Sequence, residues 1–503
     1  MKLLGVDIGT TGVKAAVFDE DGHLLGYGFH EYDVLASEPG YAEQDAELVW
    51  QFTKTVMADA ARQAGGDIAA VSLSTQGDAI IPMDIHRRAL CRAQLGMDYR
   101  GIKENDEIIR LFGERVLFDK TGIRPHPLNA LIKIMWFMNH RPQMHEKVWK
   151  YATYADFILA KMGSDDAVID NTMASRTMCF DLKTFSWSQE ILTAVGLDVS
   201  CLSKPVPSGT VVGQFSVDLC AELGIEYGAK IVTGGHDQPC AALGAGIDQE
   251  NRALDSHGTA EVLSTALKEP RTDDIMFDSF YPCYCHVVKG MYFTFALNHT
   301  GGILLKWYRD NLGYAEVVKA EQSGERSFEQ IVKSVPDGPS PLLVLPHFSG
   351  SGTPTCDIRS KGAIVGLTMS SSRHDIAKGI MDSLAFELRN NLVTMKKAGM
   401  NIDQLLCVGG GARSTIDLQL KADVTGLPVS TLQIREAACL GASILAGTGI
   451  GLYSNTHEAT ALIKQDMTYY PDQKMHERYN EKYSLYSCLY PALKSINSKM
   501  KSW

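Results

Sequence analysis

The 503-residue chain lacks most of the features that mark secreted, membrane-spanning or nucleic-acid-binding proteins. Its eleven cysteines are odd in number and irregularly spaced, so they suit a reducing compartment better than a disulfide framework. No apolar run approaches the length of a membrane span. Only Leu3 to Val6 lie between Met1-Lys2 and Asp7, which leaves no signal-peptide apolar region, and a cytoplasmic location is expected. Lysine and arginine number 48 against 59 acidic residues. The net charge of −11 argues against nucleic acid or an anionic membrane as the main partner, while allowing a local basic pocket for a phosphate. Proline-rich and low-complexity linkers are also missing. What is present, 45% apolar and 21% charged residues in a chain too long for one core, describes an ordinary globular protein of two domains. The expected partner is a small molecule.

The most informative stretch is Leu3 to Asp19, which places Asp7, Thr10 and Thr11 on a glycine turn between two apolar strands. Glycine lets backbone approach a polyphosphate, the threonine hydroxyls and exposed N–H groups can donate to its oxygens, and Asp7 can hold Mg²⁺. The turn Asp19-Glu20-Asp21-Gly22 then predicts a three-stranded antiparallel start, unlike the strand-then-helix of a P-loop or Rossmann unit. An ordinary glycine hairpin fits the same residues. Further on, Ala46 to Ala64 reads as an amphipathic helix, Ile68 to Ser74 as a strand, and Lys230 to Gly234 as a strand leading to a helix over Gln238 to Gly246.

Leu254 to Leu263 repeats the rhythm of the first loop, with Asp255 followed by Gly258-Thr259. Two domains of related plan, each presenting a Gly-Thr turn, would clamp a nucleotide's phosphates from both sides. Leu405 to Ser414 is a strand running into Gly409-Gly410-Gly411, and a flat base lying on exposed backbone is one cause for such a turn. A plain strand-to-helix turn is the other. Glu436 to Ser443 is a small-residue helix suited to close backbone packing, and the segment after Gly451 reads as terminal helices. Cys283-Tyr284-Cys285-His286 is a poor zinc pattern and is read as structural thiols. Asp237 stands at the start of its helix, where it serves either as an N-cap or as an ionised carboxylate able to accept a proton.

Asp7-Ile8-Gly9-Thr10-Thr11, Gly40 to Asp45, Gly235-His236-Asp237-Gln238, Gly258-Thr259, Gly409 to Arg413 and Glu436 to Gly441 follow the order found in the FGGY carbohydrate kinases, and the chain resembles that family over nearly its whole length. Two family patterns also match imperfectly: Lys133 to Phe137 with Asn139-His140, and Gly362 to Asp382 with Gly379 at a usual Ala or Ser. The resemblance implies an α/β fold of two actin-like, ribonuclease H-like domains, each a mixed five-stranded sheet flanked by helices, with ATP in the cleft. It implies residues 1–247 as the sugar-binding domain, 248–455 as the nucleotide-binding domain and 456–503 as a helical extension. It implies Asp237 as catalytic base, Asp7 and Asp237 around Mg²⁺, and Thr10, Thr11, Lys14, Gly258 and Thr259 around the phosphates. Gly302, Gly410, Gly411 and Ala412 would line the nucleotide cleft, and Arg413 either stacks on adenine or is a solvated charge. Phosphoryl transfer asks little of such a base beyond orientation, so an ordinary weakly basic Asp suffices. The family often forms homodimers.

Substrate choice follows from the departures. Glycerol kinases place Arg-Glu after the Gln that here begins Gln76-Gly77-Asp78, Trp in the motif that here reads Gly96-Met97-Asp98-Tyr99-Arg100, and Tyr where Leu128 follows His126-Pro127. Xylulokinases show Gln-Met-His at Gln76 to Asp78 and Asn at Gln238. The resemblance therefore implies a sugar site of Gln76, Gly77, Asp78, Asp98, His126, Asp237 and Gln238. Loss of an Arg and a Trp enlarges the pocket, and the carboxylates Asp78 and Asp98 favour a neutral ketose or polyol of about four to six carbons, with an aldonate as the alternative. An actin-like ATP-dependent sugar sensor is the non-enzymatic alternative.

Overall fold

The computed structural model describes residues 1–433 and 436–500. Strands β1 (Lys2–Ile8), β2 (Gly12–Asp19) and β3 (Leu24–Glu31) run antiparallel to one another, as the two turns predict. Helix α1 (Ala46–Ala64) is capped by Asp45, whose carboxylate accepts the Glu47 and Leu48 amides, and Gly65 ends it at φ 89°. Its Val49, Trp50, Val56, Met57, Ala60 and Ala64 recur at helical spacing and are buried. The chain returns through β4 (Ile68–Thr75), parallel to β1. A helical stretch containing α2 (Asn171–Arg176) precedes β5 (Val211–Gln214), β6 (Lys230–Val232) and the two-residue β7 (Gly235–His236), from which α3 (Asp237–Gly244) departs. The sheet order is β5-β6-β4-β1-β2-β3, with β7 beside β4.

The second half repeats this plan. Strands β8 (Arg252–His257) and β9 (Glu261–Leu267) form the equivalent hairpin, followed by β10 (Tyr284–Cys285), β11 (Tyr292–Asn298) and helices α4 (Gly302–Asn311) and α5 (Arg373–Lys397). Then come β12 (Gln404–Gly409), α6 (Thr415–Thr425), β13 (Val429–Leu432), α7 (Ala437–Gly449) and β14 (Gln465–Tyr469), in sheet order β10-β11-β9-β8-β12-β13-β14. Strands β3-β2-β1-β4-β6 and β11-β9-β8-β12-β13 are thus the same five-strand arrangement, antiparallel on one side and parallel on the other. Each is widened to seven strands by short additions. One addition differs from the expected helical terminus: β14 lies beyond Gly451 and pairs with β13 through Val429 and Ser430 before α8 (Gln473–Tyr486) and α9 (Leu489–Asn497) close the chain. A polar edge strand has the exposed pattern of a loop, so its pairing is invisible to hydrophobic periodicity.

The two halves are joined where α3 crosses α7. A Cβ at Gly441 would stand 1.9 Å from the Cys240 carbonyl oxygen, and one at Gly244 would stand 1.9 Å from that of Ala437. Helix α7 also lies on β1 and β4, so the small-residue helix packs backbone to backbone as its composition predicts. Replacement Gly441→Val overpacks this crossing, and we expect a loss of about 1–3 kcal/mol in chemical denaturation. An unchanged midpoint would show that the helices can separate freely.

Candidate active site

The parallel strands β1, β4 and β7 end level with one another, since Ile8 pairs with Thr75 and Thr75 with His236. The residues that follow these ends are Gly9-Thr10-Thr11, Gln76-Gly77-Asp78 and Asp237-Gln238, so three motifs far apart in the chain meet at one sheet edge. Ligands of open α/β sheets bind at such carboxyl ends. The Gly9 to Thr11 turn is gripped from outside. Tyr32 donates its hydroxyl to the Gly9 carbonyl at 2.7 Å, and Gln76 donates to the same oxygen at 3.1 Å. Gln76 also accepts from Thr10 Oγ1 and donates to Gln44, which holds the Thr10 carbonyl. This corrects the expectation for Gln76. Both ends of its amide are bonded to the Gly9 to Thr11 turn and to Gln44, because burial obliges a polar side chain to find partners within the fold. Thr11 remains exposed at the tip.

Asp7 accepts from Ser74 Oγ at 2.7 Å, and burial raises its pKa despite that bond and the nearby Lys14. Lys14 is not free: it bridges to Glu436 at the start of α7 at 2.9 Å, and that pairing outweighs burial to keep it protonated. Asp237 opens α3 but does not cap it. His236 is the N-cap residue, with no side-chain capping bond, so the carboxylate is left for other work. Burial and then the charge of Asp7 push the Asp237 pKa up to about 7, against the pull of the Gln238 amide and Arg176. The helix terminus was expected to keep this group an ordinary ionised carboxylate; desolvation overrides it. Asp7 and Asp237 both bring carboxylate oxygens close enough for their charges to act on one another, which is the donor chemistry of a hard divalent cation.

On the other side of Asp237 lies a pair that sequence reasoning missed. Arg176, at the end of α2, is ion-paired with Asp78, and both are buried. The His236 ring lies 3.3 Å from Asp237 through Nε2 and 3.2 Å from the Tyr284 hydroxyl through Nδ1. Burial and Arg176 hold His236 neutral. Tyr284 comes from the cysteine-rich segment, whose thiols Cys283 and Cys285 are buried in apolar packing. His126 is half-buried with its Nδ1 accepting the Leu128 amide, and burial followed by Lys133 lowers its pKa. Lys133 itself is buried behind it, donates to the Leu128 carbonyl, and is pushed down to about 8 by desolvation. Gln238 is half-buried beside Asp237. Asp98 requires correction: its carboxylate accepts the Ala42 amide at 2.8 Å and the guanidinium of Arg100, which also holds Glu43 and stacks on Tyr41. A carboxylate so fully paired braces the Gly40 to Asp45 segment and has no capacity left for a sugar.

In the second half, β8 and β12 also end together, with His257 opposite Gly409. Gly258-Thr259 and Gly410 to Arg413 are therefore neighbours, and α4 starts on the first turn, Gly302 N–H donating to the Gly258 carbonyl at 2.9 Å. The glycine run has a cause other than a flat base. A Cβ at Gly411 would lie 2.5 Å from His257 Nδ1, and Gly409 sits at φ 89° against the His257 carbonyl. Arg413 is exposed. Beneath the turns Lys421 is fully buried, donating to Asp255 at 2.6 Å, Glu261 at 2.7 Å and the His257 ring at 2.8 Å. Burial works against its charge, but Asp255 and Glu261 hold it protonated, and Asp417 lies 3.4 Å from the same His257 Nδ1.

A profile described as "FGGY family of carbohydrate kinases, N-terminal domain" matches residues 2–244, and its C-terminal counterpart matches residues 253–450. A xylulose kinase of Bacillus subtilis is 26% identical, spanning 100% of this chain and 99% of its own. A glycerol kinase of Trichlorobacter lovleyi is 27% identical over 93% of this chain and 94% of its own. Among solved structures, a gluconate kinase of Lactobacillus acidophilus superposes with a TM-score of 0.90 at 24% identity, covering 99% of each chain. A xylulose kinase of the same organism does so with the same score and identity over 99% of this chain and 100% of that one. These likenesses show a shared fold.

Removing the Lys421 ammonium would strand two buried carboxylates, so Lys421→Met is expected to cost about 3–5 kcal/mol in denaturant titration. Asp237 makes the opposite prediction. Its folded pKa is raised, so the ionised form penalises the folded state; the penalty starts above the unfolded value of about 3.9 and is complete above about 7. Asp237→Asn should melt at a higher temperature than wild type at about pH 8, with the gap closed near pH 4. Melting curves that differ equally at both pH values would refute the shift.

Proposed function

Because the chain belongs to the FGGY family of carbohydrate kinases, it is a sugar kinase, and we propose that it moves the γ-phosphoryl group of ATP to a terminal hydroxyl of a neutral ketose or polyol of about four to six carbons. The observation that carries this reading is Asp237: the first residue of α3, free of capping duty, and near enough to Asp7, Arg176 and Asp78 for their charges to act on it. A carboxylate raised to about 7 accepts the hydroxyl proton more readily than an ordinary Asp, as the new oxygen–phosphorus bond forms.

The turn at Gly9 to Thr11 and the equivalent turn at Gly258-Thr259 receive the phosphates through backbone N–H groups and hydroxyls, with Gly302 and Gly410 to Ala412 beside the nucleotide. Thr10 and Thr11 belong to a turn that Tyr32, Gln44 and Gln76 hold in shape before any ligand arrives. Mg²⁺ would be held by Asp7 and Asp237, largely through water, where it supplies neutralisation of phosphate charge. The acceptor lies against Gly77, Asp78, His126, Asp237 and Gln238. Xylulose kinases among the relatives favour a ketose, and the missing tryptophan of the glycerol-kinase pattern weighs against a three-carbon polyol.

ADP release across a panel of ketoses, polyols and aldonates tests the proposal. Turnover should require one sugar class and vanish in Asp237→Ala. For wild type, kcat/KM should fall about tenfold per pH unit below about 7, where the base is protonated. Hydrolysis of ATP indifferent to every sugar would overturn the reading.

A further inference from the structure

The acceptor pocket was expected to be widened by the loss of an arginine at position 77, yet a guanidinium stands beside that position all the same. A Cβ added at Gly77 would lie 3.7 Å from Arg176 Nε, so Arg176 reaches from the end of α2 to the surface that a side chain at 77 would have faced. Position 77 cannot carry the arginine itself. Its Cβ would meet His236 Nε2 at 2.6 Å and Cδ2 at 2.7 Å, and that ring is fixed by Tyr284 and by its place next to Asp237. The glycine and the transplanted arginine are therefore one feature.

The Arg176–Asp78 pair is incomplete. Nη2 of Arg176 donates to Oδ2 of Asp78, but Arg176 Nε and Asp78 Oδ1 have no partner among the described residues, although the two residues are only 9% and 7% exposed. Asp78 also holds a left-handed backbone, φ 63°, which costs energy for a residue with a side chain and is retained where a site demands it. A free N–H donor and a free carboxylate acceptor on one ion pair match a hydroxyl, which accepts from the first and donates to the second. A carboxylate would satisfy Nε but face Asp78 with like charge and leave Oδ1 unpaired.

Resting on the kinase reading, the geometry points to Arg176 and Asp78 as the specificity element of the acceptor site, reading a non-reacting hydroxyl of a neutral sugar and rejecting aldonates.

Calorimetric titration of the full chain with xylulose, ribulose, ribitol and gluconate, followed by single-deoxy derivatives of the tightest binder, tests this. The variant Arg176→Lys keeps a positive charge beside Asp78 but removes Nε–H. Asp78→Asn keeps shape and still accepts from Arg176, so it serves as the second variant where the first fails to fold. Expected is a rise of at least about tenfold in the acceptor Kd for either variant, with ATP affinity unchanged. One deoxy derivative should bind wild type as weakly as its parent binds Arg176→Lys, and the variant should not discriminate between the two. Acceptor affinity unchanged in both variants, equal further loss for every deoxy derivative, or gluconate as the tightest wild-type ligand would overturn the assignment. A wild-type chain that binds a neutral sugar but releases no ADP would sink the kinase reading alone, and the same titrations would still judge Arg176. Binding of none of these sugars would sink both.

Discussion

The contact on which the rest depends is the backbone-to-backbone crossing of α3 and α7. Helix α3 carries Asp237 at its first turn, while α7 lies on β1, whose end carries Asp7 and leads into the Gly9 to Thr11 turn. A Cβ at Gly5 would stand 1.8 Å from the Cys439 carbonyl oxygen, so α7 touches the strand as closely as it touches α3. Glycine at these points removes the side-chain layer that normally spaces helices by 8–10 Å. The separation between Asp237 and the Gly9 to Thr11 turn is therefore set by main-chain packing, which has little room to relax.

Around that frame, charge is handled by burial and pairing rather than by solvent. Lys421 with Asp255 and Glu261 forms a closed cluster under the second turn, and Asp98 with Arg100 and Glu43 forms another under the Tyr41 to Gln44 segment. Lys421 and Asp98 spend their bonding capacity inside these clusters. Asp237 and the Arg176–Asp78 pair are the contrast, each desolvated and each left with unspent bonding capacity. Buried polar atoms without partners are costly. On the proposed reading, unspent capacity marks Asp78 as a binding side chain, whereas Gln76 and Asp98 are struts, a distinction that residue type alone cannot announce.

Local signals carried the architecture well. The glycine turn at Gly9, the return at Gly22 and the Asp45 cap each specify a backbone geometry through short-range sterics or hydrogen bonds, and β1 to β3 and α1 appear where those signals put them. The echo at Asp255 to Gly258 proved to be a second copy of the same hairpin in a second sheet of the same order. The small-residue run from Glu436 foretold a helix that packs without spacers. The polar strand Gln465–Tyr469 was not legible, because its only structural signal is hydrogen bonding to β13.

Sequence by itself thus determined the family, the doubled α/β plan and the carboxylates and glycines at the strand ends, since each is written within a few consecutive residues whose conformational preferences are local. Tertiary structure decided which of those side chains remain available. Gln76 turned inward to Gln44, Asp98 to Arg100, and Arg176 arrived from 98 residues away to stand by Asp78. It also raised the pKa of Asp237 to about 7, chiefly by burial. Partnership and desolvation depend on what lies within a few ångströms in space, and no spacing along the chain encodes that distance.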